Sequence, residues 1–191
     1  AYAEDLVLTA DHVVTRDDIK VILPDGKSLA ATVAGRDAGS DLALLRLAEK
    51  ALKPAKTSND VKVGQLVLAL GRPNTAGMQA SWGIVTAIAG PARTHRGGLL
   101  DEYISTETTP YPGFSGGPLV NTEGEVLGLN TSGLTQGSSL TIPAKVAWRI
   151  ADELAKHGSV KRGYLGVRTQ PVEIPEAARK SLKREQQSGL L

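Results

Sequence analysis

Tyr111-Pro112-Gly113-Phe114-Ser115-Gly116-Gly117-Pro118-Leu119-Val120 places one serine among three glycines and two prolines. Its centre, Gly113-Phe114-Ser115-Gly116-Gly117, satisfies G-x-S-x-G, the strand-to-helix elbow that presents a nucleophile in α/β hydrolases. That reading requires a helix directly after the serine, with an acid and then a histidine downstream. Pro118 and the β-rich run Pro118-Leu119-Val120-Asn121 argue against the helix. The only downstream histidine, His157, ends an amphipathic segment. The stretch is therefore a loop entering a strand, and Ser115 is either a nucleophile in that loop or an ordinary turn residue.

Outward from this loop the pattern is one of short apolar or alternating runs. LVLT at 6 to 9, IKVIL at 19 to 23, SLAATVAG at 28 to 35, DLALLRL at 41 to 47 and QLVLAL at 65 to 70 precede it, with MQASWGIVTAI at 78 to 88. EVLGLNT at 125 to 131 and SLTI at 139 to 142 follow. Strands this short and frequent predict an all-β sandwich or barrel rather than βαβ units. Pro24-Asp25-Gly26 and Thr122-Glu123-Gly124 read as hairpin turns. In PAKVAWRIADELAKHG, Val146, Ile150 and Leu154 recur at four-residue spacing and Gly158 supplies a stop, which predicts a packed amphipathic helix. Beyond it lie a strand-like KRGYLGV, a helical segment from Pro175 to Glu185 and a short end, too few residues to bury a core alone.

The 22 basic and 20 acidic side chains leave a formal charge of +2. Lys180, Lys183 and Arg184 cluster near the end, but no basic face interleaved with aromatics is visible, so no nucleic-acid partner is expected. Cysteine is absent, which excludes disulfides and thiolate metal sites and suits either redox compartment. No metal and no cofactor are expected. No run of about 18 apolar residues occurs, and no basic-then-apolar leader opens the sequence, so the chain reads as soluble with no membrane segment.

Three histidines limit the search for a general base. His95 sits in a polar loop and His157 closes the helix, whereas His12, in LTADHVV, ends an apolar strand. Asp41 directly precedes the apolar run LALL, so it either starts a strand as a turn residue, as Asp37 does, or accepts a hydrogen bond from an imidazole. A serine nucleophile also needs backbone N–H donors aimed at the developing oxyanion, and glycines let the backbone turn them there. Gly113 and Ser115 are placed to supply them. His12, Asp41 and Ser115 follow the chain order of the chymotrypsin arrangement.

The blocks LTADHVV, GRDAGSDLALLRL, VGQLVLALGRP, WGIVTAI, ISTETTPYPGFSGGPLVNTEGEVLGLNT and LTIPAKV, in that order, resemble the HtrA/Deg serine proteases, trypsin-like enzymes usually coupled to PDZ domains. The resemblance covers Leu8 to Gly158 and implies two antiparallel β-barrels with a C-terminal α-helix. It places barrel 1 at about 1–75, barrel 2 at about 76–143 and the helix at about 144–157, in a protease domain of 1–158. Barrel 1 is expected to lack its N-terminal strand, because only AYAED precedes Leu6. Residues 159–191 are expected to be a linker and the truncated start of a PDZ domain, with Tyr164, Leu165, Gly166 and Val167 as its carboxylate-binding turn and QQSGLL as its second strand.

By the same resemblance His12 is the general base, Asp41 its orienting carboxylate and Ser115 the nucleophile, with Gly113 and Ser115 forming the oxyanion hole. The substrate pocket is expected from Thr109, Pro110, Tyr111 and Pro112, from Asn130 and Thr131, and from Ser139, Leu140 and Thr141. No acid stands among these, which predicts small or medium aliphatic side chains. Phe114 occupies a position where the family commonly has asparagine. The implied function is a serine endopeptidase that cleaves unfolded or damaged protein through an acyl-enzyme. Its partners are unfolded or misfolded polypeptides and a possible homotrimer, and its location is extracytoplasmic, periplasmic or in the cell envelope. The alternative is a catalytically inactive or latent protease-fold module that binds peptide or acts as a chaperone.

Overall fold

A computed structural model of the chain describes residues 1–73, 77–134, 139–162, 171–182 and 186–190. The chain divides into two units, Ala1–Val160 and Lys161–Leu191. In the first, β1 (Leu6–Ala10) leads through a 3-10 turn at Asp11–Val13 to β2 (Ile19–Ile22), β3 (Ser28–Asp37) and β4 (Leu42–Leu47). These strands form a four-stranded antiparallel sheet in the order β1-β4-β3-β2. Then come β5 (Leu66–Gly71), β6 (Gln79–Ala89), a small hairpin of β7 (Ala92–Arg93) and β8 (Leu99–Leu100), and β9 (Tyr103–Thr106). The set ends with β10 (Pro118–Val120), β11 (Val126–Thr131), β12 (Leu140–Pro143) and helix α1 (Ala144–His157).

Six of these strands close a barrel in the order β10-β11-β12-β9-β6-β5. The all-β class holds, with one closed barrel and one half-barrel. The expected boundary between the barrels needs correction: Leu66–Gly71, assigned to barrel 1, closes barrel 2 instead. It pairs with β6 from Leu66↔Ile84 to Gly71↔Gln79 and with β10 at Leu119↔Ala69. A hairpin partner that follows directly in sequence wins over distant strands because little loop entropy is lost. Strands β7, β8 and β9 were not expected; the first two are only two residues long, too short to show alternation.

The apolar run of β4 makes sense once both of its faces are covered. Leu42 and Leu44 face a core shared with Leu6, Leu8, Leu129, Ile142 and α1, while Ala43, Leu45 and Leu47 face a second core with Leu23, Leu29 and Ala31. Period-two alternation disappears when a strand is buried on both sides. Leu44→Ala would remove a fully buried side chain, a change that typically costs about 2–5 kcal/mol. A third core fills the closed barrel with Val67, Ala69, Val85, Ile104, Phe114, Leu119 and Leu127.

Helix α1 buries Val146, Ala147, Ile150, Ala151 and Leu154 on one face. Gly158 ends it in the left-handed conformation at φ 72°, with its N–H donating to Leu154 O, and Lys156 and His157 complement the helix dipole in the last turn. The Gly158 carbonyl then accepts the Arg36 N–H of β3 at 3.1 Å, which ties the helix end to the half-barrel.

In the second unit β13 (Pro171–Glu173) pairs antiparallel with β14 (Ser188–Leu190), and α2 spans Glu176–Leu182. The expected carboxylate-binding turn at Tyr164, Leu165, Gly166 and Val167 lies outside the described residues. Among the described residues no helix is long and apolar enough to cross a membrane.

Candidate active site

Asp41 sits in the turn between β3 and β4, fully buried and at φ 55°. The left-handed region is costly for most residues and least so for Asp and Asn, and the turn is fixed by Asp37, whose Oδ2 accepts the N–H and hydroxyl of Ser40 at 3.1 and 2.5 Å. The Asp37 side chain thus fixes the turn, and that of Asp41 is left for other partners. Three donors converge on the Asp41 carboxylate. The His12 backbone N–H reaches Oδ1 at 2.9 Å, and Oδ2 receives His12 Nδ1 at 2.7 Å and the Thr131 hydroxyl. The Asp41 carbonyl also accepts the Asp11 N–H at 3.0 Å. One buried aspartate therefore positions both the backbone and the ring of the residue at the end of β1. With Nδ1–H committed to a carboxylate, the lone pair is left on Nε2.

Neighbouring groups brace this pair. The buried Asp11 carboxylate lies 3.4 Å from Arg36 and 3.6 Å from Arg96, and Arg36 also donates to Val14 O at 2.8 Å. Thr94, in the β7–β8 turn, donates to Gly39 O at 2.8 Å and accepts the Gly98 N–H at 3.0 Å. Its hairpin thereby holds the turn that carries Asp41.

Ser115 arrives from the loop between β9 and β10. Gly116 brings that loop against β1: its φ is 81°, and a Cβ there would stand 2.7 Å from the Ala10 N. Only glycine fits so close to the strand that leads to His12. The N–H groups of Phe114, Gly116 and Gly117 are committed to Tyr111 O, Asn130 O and Phe114 O at 3.2, 2.8 and 2.9 Å. Among the described residues the N–H groups of Gly113 and Ser115 have no such acceptor. They are the two expected to stabilise an oxyanion. The Ser115 hydroxyl itself lies 3.1 Å from the Ser132 hydroxyl and accepts the Ser132 N–H at 3.2 Å; among the described residues it makes no hydrogen bond to His12.

Thr109, Pro110, Asn130, Ser139, Leu140 and Thr141 line one cavity of about 10 Å3 together with Ala69, Thr106, Thr108 and Phe114. All ten are uncharged. Three residues expected in the pocket stand elsewhere. The Thr131 hydroxyl is spent on Asp41. Tyr111 is half exposed and packs edge-on against Phe114 at 5.5 Å, and Pro112 is exposed. Phe114, 3% exposed, belongs to the barrel core and also borders the cavity. His95 is exposed, and His157 lies 3.9 Å from Glu153. Among the described residues no group of His, Asp and Glu is placed to hold a metal.

Sequence reading passed over Ser132, Gly133 and the role of Thr131. A Ser-Gly pair after a strand looks like any turn, and only the fold shows that Thr131 to Gly133 run past His12, Asp41 and Ser115.

The trypsin-like peptidase domain family matches residues 1–129. Two proteins named probable periplasmic serine endoprotease DegP-like are similar: one from Halomonas elongata is 42% identical over 87% of this chain and 36% of its own length. The other, from Brucella suis, is 37% identical over 94% of this chain and 36% of its own. The chain thus spans little more than a third of these curated relatives. Among solved structures, HtrA-type protease AlgW with a decapeptide superposes with a TM-score of 0.79 at 31% identity, covering 99% of this chain and 59% of that one. Deg5, at 24% identity and a TM-score of 0.70, shares the fold. Buried acid, bonded histidine, glycine-framed serine and these matches lead to one conclusion: the chain belongs to the trypsin-like peptidase domain family.

Proposed function

We propose that this chain is the peptidase part of an HtrA-type serine endopeptidase that cleaves unfolded or damaged polypeptide outside the cytoplasm. The observation that carries the reading is the buried Asp41 carboxylate holding His12 Nδ1 at 2.7 Å, with Ser115 delivered beside it by the Gly116 contact on β1. In this reading His12 Nε2 takes the Ser115 proton as Oγ attacks the peptide carbonyl. Asp41 stabilises the imidazolium, and the Gly113 and Ser115 N–H groups bind the oxyanion. His12 then protonates the leaving amine, and water releases the acyl group by the same route reversed. The periplasmic names of the relatives support the location. The β13–α2–β14 segment is assigned as the beginning of a PDZ domain, and any trimer belongs to the whole protein.

Ser115→Ala is expected to abolish casein cleavage and covalent labelling by a phosphonofluoridate while leaving the melting curve in place. Cleavage by the alanine variant, or a labelled residue other than Ser115, overturns the reading. A second reading, a latent module that holds peptide without cutting it, is favoured by the Ser115–Ser132 contact, and absence of labelling from pH 6 to 9 would support it.

A further inference from the structure

The turn that carries His12 is well held at its start and thinly held at its end. At the start the Asp11 N–H donates to Asp41 O at 3.0 Å and the His12 N–H to Asp41 Oδ1 at 2.9 Å. At the end the Val14 N–H closes the turn on Asp11 O at 3.0 Å. Thr15 to Asp18 then run exposed and outside any strand until β2 begins at Ile19. The Val14 side chain is buried in the second core, but among the described residues its carbonyl has one partner, Nη2 of Arg36 at 2.8 Å. The other terminal nitrogen of that guanidinium, Nη1, reaches Asp11 Oδ1 at 3.4 Å. A single side chain therefore grips the backbone turn on both sides of His12 and Val13.

Arg36 is placed and shaped for this. In the sheet it stands opposite Ala43, which stands opposite Thr9, so the three share one face and the row crosses from β3 over β4 to β1. The residue between is alanine, so a long side chain can pass over it. The backbone beneath is fixed, because the Arg36 N–H donates to Gly158 O at 3.1 Å and a Cβ on Gly35 would stand 2.8 Å from that oxygen. A planar guanidinium presents two nitrogens in a rigid fork, whereas a lysine has one and cannot hold both acceptors. Arg96 also approaches Asp11, at 3.6 Å, but makes no contact with Val14 among the described residues.

We infer that Arg36 is a positioning residue for the reaction: its fork clamps Asp11 and Val14 and so keeps the His12 ring seated on Asp41. The inference rests on the peptidase reading above and adds to it a group that touches neither substrate nor the reacting atoms. It acts through the turn alone.

The test compares Arg36→Met, Arg36→Lys and Arg96→Met on a quenched peptide substrate, beside melting curves; Arg36→Gln serves if the methionine variant does not fold. In Arg36→Met kcat is expected to fall about 10- to 100-fold with KM changed only a few-fold. Arg36→Lys keeps the charge and loses the fork, and it is expected to fall nearly as far. Arg96→Met, which removes only a partly exposed ion pair, is expected to change kcat by less than about 5-fold. Full activity in the lysine variant, an equal loss in Arg96→Met, or a raised KM with unaltered kcat overturns the inference. A second readout needs no turnover: the downfield proton resonance of the His12 Nδ1–H bonded to Asp41 is expected in the wild type and broadened or lost in both Arg36 variants. If the wild type neither cleaves nor labels at Ser115, the peptidase reading fails, and this resonance still decides the clamp. Normal cleavage with a resonance unmoved in both variants sinks the clamp and keeps the peptidase.

Discussion

A Cβ added to Gly133 would stand 2.5 Å from Nδ1 of His12. The same atom would press on the Asp41 carboxylate, so Gly133 is the wall against which the acid and the imidazole are held. Gly133→Ala must displace one of them. A misplacement of about 1 Å costs about 100-fold in rate, so kcat on a peptide substrate is expected to fall by that order with KM changed only a few-fold. Steady-state kinetics beside a melting curve check this; an unaltered kcat would show that the pair tolerates the methyl group.

Thr131 gives Asp41 one of its three donors. Thr131→Val keeps the shape and removes the hydroxyl, leaving part of a fully buried carboxylate unpaired at a cost of about 1–3 kcal/mol. Urea denaturation is expected to show that loss, and Thr131→Ser to restore most of it along with activity. A valine variant as stable as the parent would mean that the hydroxyl contributes nothing to the carboxylate.

The Ser132 hydroxyl competes with His12 for the Ser115 hydroxyl, at 3.1 Å. Ser132→Ala removes that competitor while keeping the backbone N–H. The rate of phosphonofluoridate labelling is expected to rise a few-fold. A fall would instead assign Ser132 the task of holding Ser115 ready.

The β7–β8 hairpin acts on the acid from a distance. Thr94→Ala deletes both the bond to Gly39 O and the one from Gly98 and is expected to lower stability by about 1–3 kcal/mol, with kcat reduced. Arg96→Ala loosens a partly exposed ion pair to Asp11, worth at most about 1 kcal/mol. The two variants compared by urea melts should rank Thr94 first, and the reverse order would place the brace in the ion pair.

Tyr2 offers a pH signature. Burial, together with its hydrogen bond to Asp152, pushes the phenol up to about 12 from its ordinary 10.0. The folded state therefore holds the proton more tightly than the unfolded chain, and stability falls as pH rises between those values. Tyr2→Phe is expected to flatten the decline over that window in melts followed by circular dichroism.

Much of this was legible in the residues, and the failures are instructive. His12, Asp41 and Ser115 stood out because each borders an apolar strand, and the fold has few ways to join such strands. Leu66–Gly71 was given to the wrong barrel because an alternating strand looks the same in either; only its partners, β6 and β10, decide. The resemblance places Thr131 in the pocket beside Asn130, but neighbours in sequence need not share a face of β11. A period of two puts the neighbours on opposite sides: Asn130 faces the cavity and Thr131 faces Asp41. Phe114 stands where the family commonly has asparagine, and its side chain belongs to the barrel interior, while among the described residues the flanking amides have no acceptor. Gly133 carried no signal at all, since the space that forbids a side chain there is made by residues about ninety positions away or more.

The tie between the Gly158 carbonyl and Arg36 reaches further than the stability of one helix. During synthesis the histidine and the aspartate leave the ribosome well before the serine, and the glycine that walls them in comes later still. The helix that locks the half-barrel to the rest is the last part of this unit to emerge. A nascent chain, or one clipped short of its closing helix, thus carries every reactive group without the frame that aligns them. On the peptidase reading, harm to neighbouring proteins is deferred until folding is complete.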